Sequence, residues 1–174
     1  FDLILDLSNG QRVEYRGTAE AEVTESSLMD REEIAEEVRK TIADKGMEDT
    51  GVVVSDKGVT ISLENIKFLP NSSILTQGEK DKIRAIAAIL GKYPEKDLLI
   101  TGHTAYASGY TEEEHTELSV ERAQSVANYL LELGVRKSTQ MITQGKGHSE
   151  PSGDNRTEEG MKKNRRVEIT ILEN

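Results

Sequence analysis

Arg122 is the residue whose position calls for a chemical explanation. It falls three residues after Ser119, a helix-capping residue type, at the head of the periodic apolar run 120–133. That spacing predicts a helix over 120–133, with Ser119 as N-cap and Arg122 in its first turn. A cation there opposes the helix dipole, so helix stability does not require it. An anion held between free backbone N–H groups and a guanidinium would account for it, because Arg grips a carboxylate through two parallel hydrogen bonds. The competing account is internal pairing with Glu117, Glu121 or a more distant acid.

Other chemistries fare less well. The three histidines, His103, His115 and His148, show no i, i+4 pair, and there is no Cys, so no zinc site is predicted. No cofactor is implied. Ser119 and Ser149 lack a nucleophile-elbow pattern, and Gly145-Lys146-Gly147 lacks the flanks of a phosphate loop. No acid/base or nucleophile set can be assembled, so an enzyme is not expected. His103 is predicted at a strand end, where it could hydrogen-bond loop backbone or a ligand.

Charge limits the partners. The net charge is −10, and residues 1–50 carry 14 acids against 6 bases. The one basic cluster, Lys162, Lys163, Arg165 and Arg166, is too short for a phosphate backbone, so nucleic acid is excluded. No apolar run reaches the length of a membrane span. The chain opens at Phe1, not Met, and is expected to continue a longer protein whose signal or anchor lies upstream.

The elements follow from periodicity. Residues 1–7 alternate as a strand, the turn signal Asn9-Gly10 follows, and 12–23 continue as one long strand or two short ones, with Gly17 as a candidate bulge. Asp30 to Glu33 resembles a capping box, opening a helix with Ile34, Val38 and Ile42 on one stripe and an end near Gly46. Residues 1–50 read as a small acidic β-β-α unit that docks on something else, and 51–174 as the main domain. There, 52–55 and 59–63 flank the hairpin signal Asp56-Lys57-Gly58. A second capping box, Thr76 to Glu79, opens a helix with Ile83, Ile86, Ala87 and Leu90 on one face. Strand 98–101 is continuously apolar, so it is expected to be central and covered on both faces. Residues 141–143 and 166–172 read as strands, with a long loop over 145–164. From residue 59 the order is β-α-β-α-β-β, an α+β fold with helices on one face of a mixed sheet.

These pieces resemble the OmpA-like carboxy-terminal domain from about Val59 to Ile171. The resemblance rests on Ile66 and Phe68, Gly102-His103-Thr104, and Leu118-Ser119-x-x-Arg122-Ala123-Gln124-Ser125-Val126. It continues through Tyr129-Leu130, Gly134, Gly145-x-Gly147 with Pro151, and Asn164-Arg165-Arg166-Val167-Glu168-Ile169. It implies a non-catalytic envelope protein in the periplasm, associated with the outer membrane, that binds peptidoglycan stem peptides. In that family an Asp after Gly-His-Thr and the Arg of Leu-Ser-x-x-Arg-Ala grip the third-position diamino acid. The implied binding set here is His103, Thr104, Ala105, His115, Leu118, Arg122, Asn164 and Arg165. Asn164 and Arg165 are secondary, with loop anchoring as their alternative role.

The pattern departs from the family at the ligand. Ala105 stands where the family has Asp, and His115 where it has Asn. The carboxylate half of the site survives in Arg122, while the ammonium half is missing. Losing one member of a buried charged pair costs about 2–5 kcal/mol of binding. Glu112, Glu113 or Glu114, in a lengthened loop, could replace the acid, or could simply form a solvated run. The alternative function is an envelope interaction module that has lost peptidoglycan and docks protein partners through residues 1–50.

Overall fold

The computed structural model describes residues 2–6, 12–16, 25–69 and 72–173. Its elements are β1 (Asp2–Asp6), β2 (Arg12–Arg16), α1 (Glu25–Asp44), β3 (Thr50–Ser55), β4 (Gly58–Leu63) and α2 (Gln77–Leu90). They continue with β5 (Leu98–His103), α3 (Glu112–Glu132), β6 (Met141–Gly145), α4 (Glu158–Asn164) and β7 (Arg166–Leu172). β1 and β2 form their own antiparallel pair, from Asp2 opposite Arg16 to Asp6 opposite Arg12. The predicted turn at Asn9-Gly10 and the bulge at Gly17 lie outside the described residues.

The remaining strands form one sheet in the order β3-β4-β7-β5-β6. Only β5 and β6 run parallel, because α3 carries the chain back between them. Val59, Ile61, Leu63, Leu98, Ile100, Val167, Ile169 and Ile171 alternate toward one core with Ile83, Ile86 and Leu90 of α2 and Val126 and Leu130 of α3. The opposite face is polar: the Thr60 and Thr170 hydroxyls meet at 2.8 Å, and Gln144 donates to the Thr101 hydroxyl at 3.0 Å. The apolar run of β5 suggested cover on both faces. The strand is interior, but it gives Leu98 and Ile100 to the helical core while Leu99 and Thr101 face the other way.

α1 docks on this sheet, with Ile34, Ala35 and Val38 in the same core. Arg31 fastens it: Nε lies 3.0 Å from Glu173 Oε2, and a terminal nitrogen donates to the Ser55 carbonyl at 3.2 Å. Four details differ from expectation. α1 begins at Glu25, so Asp30 lies inside the helix and caps nothing. Thr76 does precede α2, but its side chain makes no capping bond, and Glu79 is buried 3.7 Å from Lys82 Nζ. α3 starts at Glu112, eight residues before the expected start. The long loop contains α4, capped by the Thr157 side chain, with Glu158 and Glu159 in its first turn and Lys162 and Lys163 in its last, as its dipole favours.

One glycine fixes the approach of α3. A Cβ on Gly102 would overlap the Ser119 carbonyl, so the helix rests directly on β5. Ser119 is accordingly fully buried within the helix. Its hydroxyl donates to the Thr116 carbonyl at 2.7 Å and accepts from the Gly147 N–H at 3.0 Å.

Candidate functional site

The end of β5, the following turn, α3 and α4 enclose a cavity of about 680 Å³. The start of α3 is set by Thr111. Its hydroxyl accepts from the Glu114 N–H at 3.1 Å, while Glu114 Oε2 accepts from the Thr111 N–H at 2.7 Å. This closed capping box corrects the reading of Ser119 as N-cap. Arg122 therefore sits eleven residues past the cap, in the body of the helix. The free N–H groups of the first turn take no part in its chemistry. Glu112, Glu113 and Glu114 likewise belong to the first turn of α3 and not to a lengthened loop, and Glu114 is committed to the cap.

Arg122 lines the cavity, and among the described residues no acid pairs with it. Its guanidinium carbon lies 4.7 Å from the centroid of the Phe68 ring, which supports it from one side. Its Nε is buried, and among the described residues it has no hydrogen-bond partner. Glu117 and Glu121 line the same cavity, yet neither neutralises it. Burial, and then the charge of Arg165, push the Arg122 pKa below its ordinary value. Arg165 also faces the cavity, tethered to Glu158 at 2.9 Å.

Of the residues singled out from sequence, Thr104, Ala105, His115, Leu118, Arg122 and Arg165 line the cavity together. His103 and Asn164 do not. The His103 side chain is buried beside Glu168, Nε2 to Oε1 3.1 Å, at an angle outside hydrogen-bonding geometry. The His103 ring, opposed by burial and aided by Arg166, holds the Glu168 carboxyl down to about 2. Asn164 takes the anchoring role. Its Oδ1 accepts from the Ser152 and Gly153 N–H groups at 2.7 and 2.8 Å, and its Nδ2 donates to the Gly153 carbonyl at 2.9 Å. His115 is buried, with Nδ1 3.1 Å from the Thr104 hydroxyl. His148 packs edge-on against it at 4.8 Å, but among the described residues no metal-holding cluster forms.

Sequence reasoning missed Tyr106, Tyr110 and Met161, which also line the cavity. The T-x-x-E signature at Thr111 would have placed α3 correctly. At about 100° per residue, Glu117, Glu121, Leu118 and Arg122 then fall in that order across one helix face. Acids occupy one flank, the Arg the other, and Leu118 the centre.

The model of the OmpA family matches residues 67–165. The chain belongs to the OmpA family. It is 36% identical over 128 residues to the probable lipoprotein YiaD of Escherichia coli, covering 72% of this chain and 57% of that protein. It spans about half the length of the next relatives it matches. Among solved structures, an outer membrane protein from Borrelia burgdorferi shares 38% identity at a TM-score of 0.57, over 71% of this chain and 97% of that one. The cell wall anchor of the type VI secretion system from Pseudomonas aeruginosa superposes at a TM-score of 0.65 with 25% identity, over 78% and 96%. The expected β-α-β-α-β-β order is β4-α2-β5-α3-β6-β7 here, with α4 between β6 and β7.

Proposed function

We propose that this chain is a non-catalytic protein of the bacterial cell envelope, facing the periplasm, whose cavity binds the stem peptide of peptidoglycan. The observation that carries this reading is the buried, unpartnered Nε of Arg122 on the cavity wall. Two guanidiniums beside one hollow repel each other, and a carboxylate between them relieves both. Arg122 and Arg165 take the carboxylate of the diamino acid. Ala105 offers nothing to its ammonium group, so Glu117 and Glu121, on the opposite flank of α3, take that role. Acids on a longer stem, placed elsewhere in the cavity, imply a specificity different from that of family members with Asp at this place. A structural relative described as a cell wall anchor supports the same ligand class.

Ala105 also favours a second reading, in which the fold is kept as an interaction module and the wall ligand is lost. Sedimentation with insoluble sacculi separates the two, comparing the parent with Ala105→Asp. Parent protein in the pellet supports stem-peptide binding. A parent that stays in solution while Ala105→Asp pellets supports the second reading.

A further inference from the structure

β3 forms one edge of the sheet and, among the described residues, pairs only with β4. Its sequence, Thr-Gly-Val-Val-Val-Ser, has no charge and no Pro, and its register with β4 runs residue for residue without a bulge. Charges, Pro and bulges are the devices that keep a sheet edge from pairing with another chain, and β3 has none of them. Val53 is 61% exposed on the polar face of the sheet. An unblunted edge beside an exposed Val indicates a surface that is covered in the working protein.

The ladder fixes which groups are free. Ser55 and Gly58 close a two-residue turn as a mutually bonded pair, and the bond from the Glu173 N–H to the Lys57 carbonyl agrees with that phase. Alternation then turns the backbone groups of Gly51, Val53 and Ser55 toward β4, and those of Thr50, Val52 and Val54 toward the open edge. An identical strand running antiparallel meets them in register when a two-fold axis passes at Val53. Val52 then exchanges both backbone bonds with Val54 of the second copy, and Val54 with its Val52. Val53 faces Val53 of the second copy as the close, non-hydrogen-bonded pair, about 4.5 Å between Cα atoms. Gly51 falls opposite Ser55, and neither crowds the other. Further along, the Glu48-Asp49 turn falls opposite Lys57 of the second copy, so the same register sets opposite charges together at both ends. α1, which packs along β3, runs antiparallel to its counterpart about this axis. Its exposed acids Glu32 and Glu36 precede the exposed bases Arg39 and Lys40, so acid lies beside base there too. β6, at the other edge, offers no such match: about Thr143, Lys146 falls opposite Gln140.

We infer that β3 is the interface of a homodimer, in which two copies pair their β3 edges antiparallel about Val53 and join two five-stranded sheets into one. The cavity beside β5 lies three strands away from this edge, so the dimer leaves both cavities open. The inference does not depend on what that cavity binds.

The test is sedimentation of the whole chain, diluted from about 1 mM to about 1 µM, together with cross-linking. The parent is expected as a dimer that dissociates on dilution. The chain has no Cys, so Val53→Cys places a single thiol on the axis. The Cα spacing there suits a disulfide, and mild oxidation is expected to trap a dimer. Ile142→Cys, at a position 56% exposed on the other edge, is expected to stay monomeric on the same treatment. Val53→Lys is expected to raise the dimer Kd about tenfold with an unchanged circular dichroism spectrum, because it sets two ammonium groups side by side. Lys57→Glu, which brings like charges together at each end, is expected to weaken the dimer as well. A parent that stays monomeric throughout overturns the inference, and is the result that a β1–β2 pair seated on the edge of its own chain would give. So does a dimer whose Kd is indifferent to Val53→Lys, or oxidation that traps Ile142→Cys as readily as Val53→Cys.

Discussion

Replacing Arg122 with Met should make the protein more stable and less able to bind. Met keeps the apolar stem that fills the space beside Phe68, and removes the guanidinium. The buried Nε without a partner costs about 1–3 kcal/mol in the free protein. The contact with the Phe68 ring returns about 0.5–1 kcal/mol of that. Repulsion from Arg165 adds to the cost. The balance favours Arg122→Met by about 1 kcal/mol, which for a domain of this size raises Tm by roughly 2–4 °C. Loss of the charge-assisted contact should weaken stem-peptide binding by about 2–5 kcal/mol, at least roughly thirtyfold in Kd. Scanning calorimetry and isothermal titration on one preparation read both effects. A lower Tm in Arg122→Met refutes the reasoning by showing that the guanidinium serves the fold, and an unchanged Kd refutes it by showing that the ligand does not use the guanidinium.

Other consequences follow from the same contacts. Glu117→Gln combined with Glu121→Gln should lower affinity for a stem peptide carrying a free side-chain ammonium and leave its N-acetylated form unchanged in titration. Glu168, held down to about 2, contributes stability that is present above about pH 4.3 and is lost as pH falls toward 2. Urea melts at pH 7, 4 and 2.5 should show that slope in the parent and a reduced one in Glu168→Gln, with a difference of at most about 3 kcal/mol. Arg136 is buried and donates to the carbonyls of Leu90, Tyr93, Lys96 and Val135 at 2.6–2.9 Å, tying the end of α2 to the chain after α3. Arg136→Met leaves four carbonyls short of a donor. It should cost about 3 kcal/mol in denaturant melts with stem-peptide affinity unchanged.

The sheet was legible in the sequence because its signals are local. Val59, Ile61 and Leu63 alternate with polar residues, as do Val167, Ile169 and Ile171, and the two-residue turn before Gly58 sets the β3–β4 register. Gly58 tolerates no Cβ, which would overlap the Ile171 carbonyl of the neighbouring strand. Helix starts were less legible, because capping signals recur. Asp30–Glu33, Thr76–Glu79 and Thr111–Glu114 all fit the pattern, yet only the last closes both bonds. Ser119 masks it, since a buried Ser that bonds Gly147 looks, in sequence, like a cap. A start at Ser119 puts Arg122 at a helix mouth, whereas Tyr106 and Tyr110 lie in the turn before α3 with either start. The role of Asn164 was balanced between ligand and anchor in the sequence, because the loop it holds lies 9–12 residues away.

The most direct measurement follows the Arg122 Nε–Hε resonance by nuclear magnetic resonance while a soluble stem peptide is titrated in. In the free protein this group has no hydrogen-bond partner among the described residues. A carboxylate accepting its proton should move the signal downfield and saturate at the same Kd as calorimetry, with the signal absent in Arg122→Met. A peptide that saturates the protein while this resonance stays in place would contradict the central claim.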